Sequence, residues 1–390
     1  MAVKKSYEEI NEKIRNGTAV VVTAEEVIDI VKEKGIEEAT KYVDVVTTAT
    51  FGPMCSSGAF LNFGHSDPPI KMSKVHLNGV PAYSGLAAVD VYIGATEESE
   101  DKGMEYGGAH VICDLIDGKK VHLMATARGT DCYPCKEVET YITKESINEA
   151  YLFNPRNCYQ NYNAAINTSD RRIYTYMGIL QPDQGNITYS TAGQLSPLFN
   201  DPLYRTIGIG TRIFLGGTVG YISWQGTQFN SACNRDENGV PLGGAGTLAV
   251  IGDLKNMSTE YIRPAVFENY GTSIFVGIGI PIPILDEEMM KYVSVEDKDL
   301  HTNIIDYSVP RRSKPSLGRV SYAELRSGKV TVDGKEIKTA PLSSLHKARK
   351  IADELKDWIR KGDFQIQEPV QPLPLNNKVN SLEIVEEEEA

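Results

Sequence analysis

Apolar residues first recur at helical spacing in Tyr7, Ile10 and Ile14, behind Ser6 and Glu9, a capping-box pair, and Asn16-Gly17 closes the segment. The strand "TAVVV" follows. Thr23 with Glu26 repeats the cap for a second helix ending near Gly35, after which "KYVDVVTTATF" turns β-branched and predicts a strand running into "GPMCSSGAF". From Val75 to Ile142 the pattern is mostly β. "AHVICDLIDGKKVHLMATARGT" reads as a hairpin turning at Asp117-Gly118, with Val111, Cys113 and Leu115 on one face and His122 and Arg128 opposite the apolar side of the return strand. Thr143 is expected to cap a helix through Tyr151, and the asparagine-rich stretch after it reads as a loop system. Residues 203–285 alternate glycine-punctuated strands with a helix near Ser258 to Asn269. Asp333-Gly334 marks a hairpin, and Leu345, Ala348, Ile351, Ala352, Leu355, Trp358 and Ile359 stripe a long helix stopped by Gly362.

This order is neither a βαβ series nor all-β. It predicts an α+β fold with a mixed, β-rich sheet core and flanking helices. Residues 1–367 are expected to form one catalytic domain, with room for two subdomains, followed by a proline-rich, acidic tail over 368–390 that is extended or partly disordered.

A net charge of -12 argues against a nucleic-acid surface or a polybasic membrane patch. The start is amphipathic rather than signal-like, and the longest uncharged apolar run, "IFVGIGIPIPIL", is far shorter than the ~20 residues that span a bilayer. Both point to a cytoplasmic protein. Six cysteines are too few for a disulfide scaffold in a chain of 390 residues, so each is judged locally.

Cys132 and Cys135 stand three apart in "RGTDCYPCKE". No second Cys or His pair follows at zinc spacing, no cluster-binding cysteine run exists, and strands rather than a helix flank the pair, unlike a thioredoxin-type site. A nucleophilic thiolate is the third reading, beside a pair of cysteines that merely sits in an exposed loop; Arg128 and Lys136 supply positive charge for it, and Cys132, nearer the loop apex, is the favoured atom. Cys55 sits in a second setting, a strand end followed by Gly-Pro, serines and glycine, which suits a thiolate or a bound carboxylate. Arg156, Asn157, Tyr159, Gln160 and Asn161 in "NPRNCYQNYN" form a dense set of donors for a small polar substrate, and His65 and Lys71 flank a double proline. A tight turn with a buried cysteine and a ligand-free hydrogen-bonded loop remain open readings of these same residues.

Taken in order, "TTATFGPMCSSGAF", "GHSDPPIKM", "ARGTDCYPCKE" and "NPRNCYQNYNAAIN" resemble the homocysteine biosynthesis family, the L-aspartate semialdehyde sulfurtransferases of methanogenic archaea and other anaerobes. The resemblance implies incorporation of sulfur into L-aspartate semialdehyde to give L-homocysteine. It places the family's two important cysteines on Cys55 and Cys132, with Cys132 the persulfide carrier and sulfide or a persulfide the donor. Some relatives carry C-terminal CBS domains, which are not expected here. Converting an aldehyde and sulfide into a thiol takes two electrons, or four from a persulfide. No Rossmann glycine motif or cluster-binding run supplies them, so no cofactor is expected on this chain. The resemblance points to a separate ferredoxin-domain iron-sulfur protein as reductant. Cys55 is expected to meet Cys132 and close a disulfide with it, while Arg128, or Arg156 with Asn157, Gln160 and Asn161, holds the substrate carboxylate, and His65 is a further substrate-site candidate. The rival reading is a metal- or cluster-binding scaffold or dithiol carrier using Cys55, Cys132 and Cys135. A homo-oligomer remains open.

Overall fold

The computed structural model describes residues 3–384. In chain order its first part gives α1 (Tyr7–Arg15), β1 (Val21–Thr23), α2 (Glu26–Tyr42), β2 (Val45–Pro53), β3 (Gly58–Asn62), β4 (Lys74–Leu77), β5 (Val80–Ala82), β6 (Asp90–Gly94), β7 (Glu98–Ser99), β8 (Gly103–Gly107), α3 (Gly108–Ile116), β9 (Val121–Thr126), β10 (Glu137–Ile142) and β11 (Glu149–Asn157). The capping box of α1 forms as read: the Glu9 amide donates to Ser6 Oγ at 3.2 Å and the Ser6 amide to Glu9 Oε2 at 2.7 Å, which aims Ile10 and Ile14 into the core. Gly35 breaks α2 with φ of 76°, a conformation open to glycine.

A ten-stranded mixed sheet is the spine. Its order is β1, β2, Gly271–Pro283, Arg212–Leu215, Thr218–Gln225, Leu248–Asp253, β11, β3 and β6, with Ile262–Phe267 attached beside Gly271–Pro283. Strand β2 is almost wholly buried and pairs antiparallel with Gly271–Pro283 along its entire length, from Val45 opposite Pro283 to Pro53 opposite Phe275. The helix Leu345–Arg360 covers this pair with the predicted apolar stripe, in which Ala348, Ile351, Ala352, Leu355 and Ile359 are buried.

A six-stranded sheet (Ser316–Ser321, His301–Asp306, Ala164–Ile166, Ile187–Tyr189, Lys335–Pro341, Lys329–Val332) has its own core around Phe199, Tyr322 and Leu325, and β10, β9, β4 and β5 form a smaller third sheet. The chain leaves the large sheet after β11, returns to it at Arg212–Leu215 and leaves again for His301–Asp306, so the two main sheets are interleaved in sequence. The α+β class is therefore correct.

Three local expectations differ. Residues 108–116 are the helix α3, not a strand: Val111, Ile112, Cys113, Leu115 and Ile116 are all buried, and burial on all but the His110–Asp114 side erases the periodicity that separates helix from strand. Asp117-Gly118 accordingly caps that helix, with Gly118 at φ of 74° and its amide donating to the Leu115 carbonyl, rather than turning a hairpin. Thr143 and Ser146 close a single turn by mutual hydrogen bonds and the chain then enters β11, so no helix follows. The stretch expected as a helix near Ser258 to Asn269 contains the strand Ile262–Phe267, whose partner lies just beyond the turn at Asn269. The described part of the tail is anchored: Gln371–Pro372 pairs with Gly208–Ile209, Leu373 is buried, and the Asn377 amide donates to Ser231 Oγ. Residues 385–390 lie outside the described range.

Gly58 opens β3 where the backbone of β6 presses close. A Cβ there would lie 2.6 Å from the Ile93 carbonyl and 2.2 Å from the Tyr92 hydroxyl. Because backbone cannot yield as a side chain can, Gly58→Ala is expected to cost about 1–3 kcal/mol, the usual range for overpacking. A lowered urea midpoint at unchanged slope is the readout.

Candidate active site

The turn between β2 and β3 carries Cys55. It is braced at both ends: the Met54 amide donates to the Ile274 carbonyl at 2.7 Å, and the Ser57 amide and hydroxyl both donate to the Met54 carbonyl. Cys55 Sγ lies 3.1 Å from the hydroxyl oxygen of Ser273, a buried residue of the strand Gly271–Pro283. That hydroxyl can donate to a thiolate and hold it in place.

Strand β11 brings the second group. Its register against Leu248–Asp253 shifts between Asn154 and Asn157, and Arg156 lies within this bulge, a feature that commonly re-aims side chains beside active sites. The fully buried Asn154 ties the two segments together, its Oδ1 accepting the Arg156 amide at 2.8 Å and the Ser56 hydroxyl at 3.2 Å. Arg156 Nε donates to Thr227 Oγ1 at 2.9 Å, which fixes the guanidinium beside the Tyr159 phenol.

Both residues line a cavity of about 350 Å³ where β2 and β11 meet the six-stranded sheet and its neighbouring hairpin Ile173–Thr175 to Gly178–Leu180. Tyr159, Tyr162, Tyr176 and Tyr270 supply aromatic walls, and Ser56, Ser190, Thr191 and Ser196 add hydroxyls. Among the described residues lining it, Arg156 is the one cation, and there is no Asp, Glu or His. The cavity is thus selective for an anionic small molecule. Burial pushes the Tyr159 phenol above its ordinary value, the adjacent Arg156 charge pulls against this, and a charge on Cys55 adds to the rise. Burial likewise raises Tyr270, with a smaller contribution from Cys55. Cys55, Arg156, Tyr159 and Tyr270 therefore share one electrostatic environment.

The other residues singled out in the sequence lie elsewhere. Asn157 is fully buried, its Oδ1 held by the Cys158 amide. Gln160 donates to the Leu198 and Pro202 carbonyls, and Asn161 donates to the Pro241 and His301 carbonyls while accepting from Tyr322. These amides join loops together behind the cavity. Cys132 and Arg128 are exposed on the loop between β9 and β10. That loop is internally braced by reciprocal Thr130–Tyr133 backbone bonds, and Tyr133 stacks on His65 with ring centroids 5.9 Å apart. Cys135 is half-buried, its amide donating to the Pro69 carbonyl.

Cys132 is not among the residues lining the cavity that holds Cys55. Cys55 precedes the Gly58 end of β3, whereas the Cys132 loop stacks on His65 just beyond the Asn62 end. Roughly 13 Å of strand, at ~3.3 Å per residue, lies between those ends. Among the described residues no three Cys, His, Asp or Glu side chains gather as a metal site, so Cys55, Cys132 and Cys135 do not assemble the ligand set of the scaffold reading. No local pattern in the sequence pointed to Asn154, Ser273 or the tyrosines as a group. Cys158 also lines the cavity, in a left-handed conformation with φ of 49° and with its thiol pushed up by burial.

No described helix is long and apolar enough to cross a membrane. A protein of Methanosarcina acetivorans named L-aspartate semialdehyde sulfurtransferase is 53% identical over 380 residues, spanning 97% of this chain and 74% of that protein. One of the same name from Methanocaldococcus jannaschii is 52% identical over 386 residues, spanning 95% and 74%. No solved structure matches the chain. The profile described as homocysteine biosynthesis enzyme, sulfur-incorporation, matches residues 19–366. On that match and those identities, the chain belongs to the sulfur-incorporating homocysteine biosynthesis enzyme family.

Proposed function

We propose that the chain incorporates sulfur into L-aspartate semialdehyde to give L-homocysteine, and that the cavity holding Cys55 and Arg156 is where the aldehyde reacts. The observation that carries this is the Cys55 thiol and the Arg156 guanidinium in a single cavity with no acidic side chain among its described lining residues. Arg156 takes the substrate carboxylate through two parallel hydrogen bonds, and the Cys55 thiolate, steadied by Ser273, faces the aldehyde carbon.

Cys132 serves as the loading station on its exposed loop, carrying sulfur as a persulfide. Two electrons and two protons release hydrogen sulfide from that persulfide and restore the thiol. With Cys55 already added to the aldehyde carbon, hydrosulfide replaces the hydroxyl, which leaves as water. Two further electrons and two protons then cleave the carbon–Cys55 bond, giving the product thiol and free Cys55. All four electrons come from a separate low-potential iron–sulfur protein. Separate stations suit the lining of the cavity, which includes Cys55 and not Cys132.

An anaerobic assay of homocysteine from L-aspartate semialdehyde tests the reading with two sulfur sources. Cys132→Ser is expected to lose activity with a persulfide donor and keep it with excess free sulfide. Equal activity of Cys132→Ser and wild type with the persulfide donor removes the loading role. A wild-type chain that forms no homocysteine with either source removes the function.

A further inference from the structure

Sulfur addition to an aldehyde drives an electron pair onto the carbonyl oxygen, and that oxygen must gain a proton before it can leave as water. Among the described residues the lining offers no His, Asp or Glu for this task, and a guanidinium gives up no proton in a protein. His65 stacks on Tyr133 and His122 pairs with Glu139 on the third sheet, so neither belongs to the cavity. The Cys158 thiol is buried and pushed up. The remaining titratable donors are phenols.

Three of them are linked. The Tyr162 hydroxyl donates to Tyr176 Oη at 3.1 Å, and the Tyr176 and Tyr307 oxygens are also 3.1 Å apart. Their rings pack edge to face, with Tyr176 at 6.4 Å from Tyr162 and 5.7 Å from Tyr307. Tyr162 and Tyr176 both line the cavity with Cys55. Burial first, and then the neighbouring phenols, hold Tyr162 and Tyr307 well above the ordinary tyrosine value, so both remain neutral donors.

We propose that Tyr176, flanked by Tyr162 and Tyr307, is the acid that protonates the substrate carbonyl oxygen as sulfur adds to the carbon; the inference rests on the reading that this cavity takes an aldehyde. Tyr176 is the central hydroxyl. The charge it acquires is shared by hydrogen bonds from both neighbours, which favours the phenolate form. In the step, a carbon–sulfur bond forms, the carbonyl π pair moves to oxygen, and the Tyr176 proton passes to that oxygen. The phenolate regains a proton from solvent, to which Tyr176 is 37% exposed. No electrons are exchanged with a redox partner in this step.

Tyr176→Phe keeps the ring and removes the proton. It is expected to lower kcat for homocysteine formation by about 10²-fold or more, the lower end of acid catalysis, with KM little changed. A fluorinated tyrosine at position 176 separates chemistry from packing: its more acidic phenol should move the basic limb of the kcat pH profile to lower pH. Retention of kcat within about twofold in Tyr176→Phe, or a basic limb unmoved by fluorination, overturns the inference. An active wild type with an unimpaired Tyr176→Phe sinks this inference alone, whereas an inactive wild type sinks the parent reading.

Discussion

Cys55→Ser is expected to lower homocysteine formation by at least ~10³-fold with either sulfur source, because loss of a nucleophile removes the covalent route altogether. Serine preserves the turn, since the bonds that brace it come from the Met54 amide and from the Ser57 amide and hydroxyl rather than from the Cys55 side chain. Thermal midpoints of wild type and variant should therefore agree closely. An alkoxide is far harder to form than a thiolate, and no described residue lining the cavity is a His, Asp or Glu that could act as its base. The contrast with Cys132→Ser is the informative part: one variant fails with both sulfur sources and the other with only one. Substantial turnover by Cys55→Ser with free sulfide would falsify a covalent role for this residue.

Arg156→Ala is expected to raise KM for the aldehyde by ~10- to 150-fold, the equivalent of about 1.5–3 kcal/mol for hydrogen bonds to a charged group. Its effect should fall on KM more than on kcat, because the carboxylate is held alike before and during reaction. Arg156→Lys should recover part of the loss, since an ammonium keeps the charge without the two-pronged geometry. Steady-state kinetics with L-aspartate semialdehyde reads both. An unchanged KM in Arg156→Ala moves the carboxylate site elsewhere, with the exposed Arg128 the alternative tested in the same way.

Local signals were legible where the chain decides structure by itself. The capping box at Ser6, the reciprocal Thr23–Glu26 bonds, the Asp333-Gly334 turn with both residues at positive φ, and the stripe ending at Gly362 all form as the residues dictate. The errors fall where tertiary burial outweighs local pattern. Residues 108–116 are buried on all but the His110–Asp114 side, so alternation of Val111, Cys113 and Leu115 carries no information about a strand. The candidate site divides in the same way. Cys55 and Arg156 stood out by their own sequence settings and meet in the cavity. Asn157, Gln160 and Asn161 have the same donor chemistry as a substrate site, yet spend it on backbone carbonyls and amides, which only the packing of distant loops reveals. The tyrosine cluster comes from four separate segments, at Tyr159 and Tyr162, Tyr176, Tyr270 and Tyr307, and no spacing in the sequence announces it.

The most direct measurement is a crystal structure of the chain soaked with L-homoserine, which carries an alcohol where the substrate has its aldehyde. Its carboxylate should lie on the Arg156 guanidinium, with the terminal oxygen between Cys55 Sγ and Tyr176 Oη. Density for the ligand at the Cys132 loop, with the Cys55 cavity left empty at saturating concentration, would place the chemistry elsewhere.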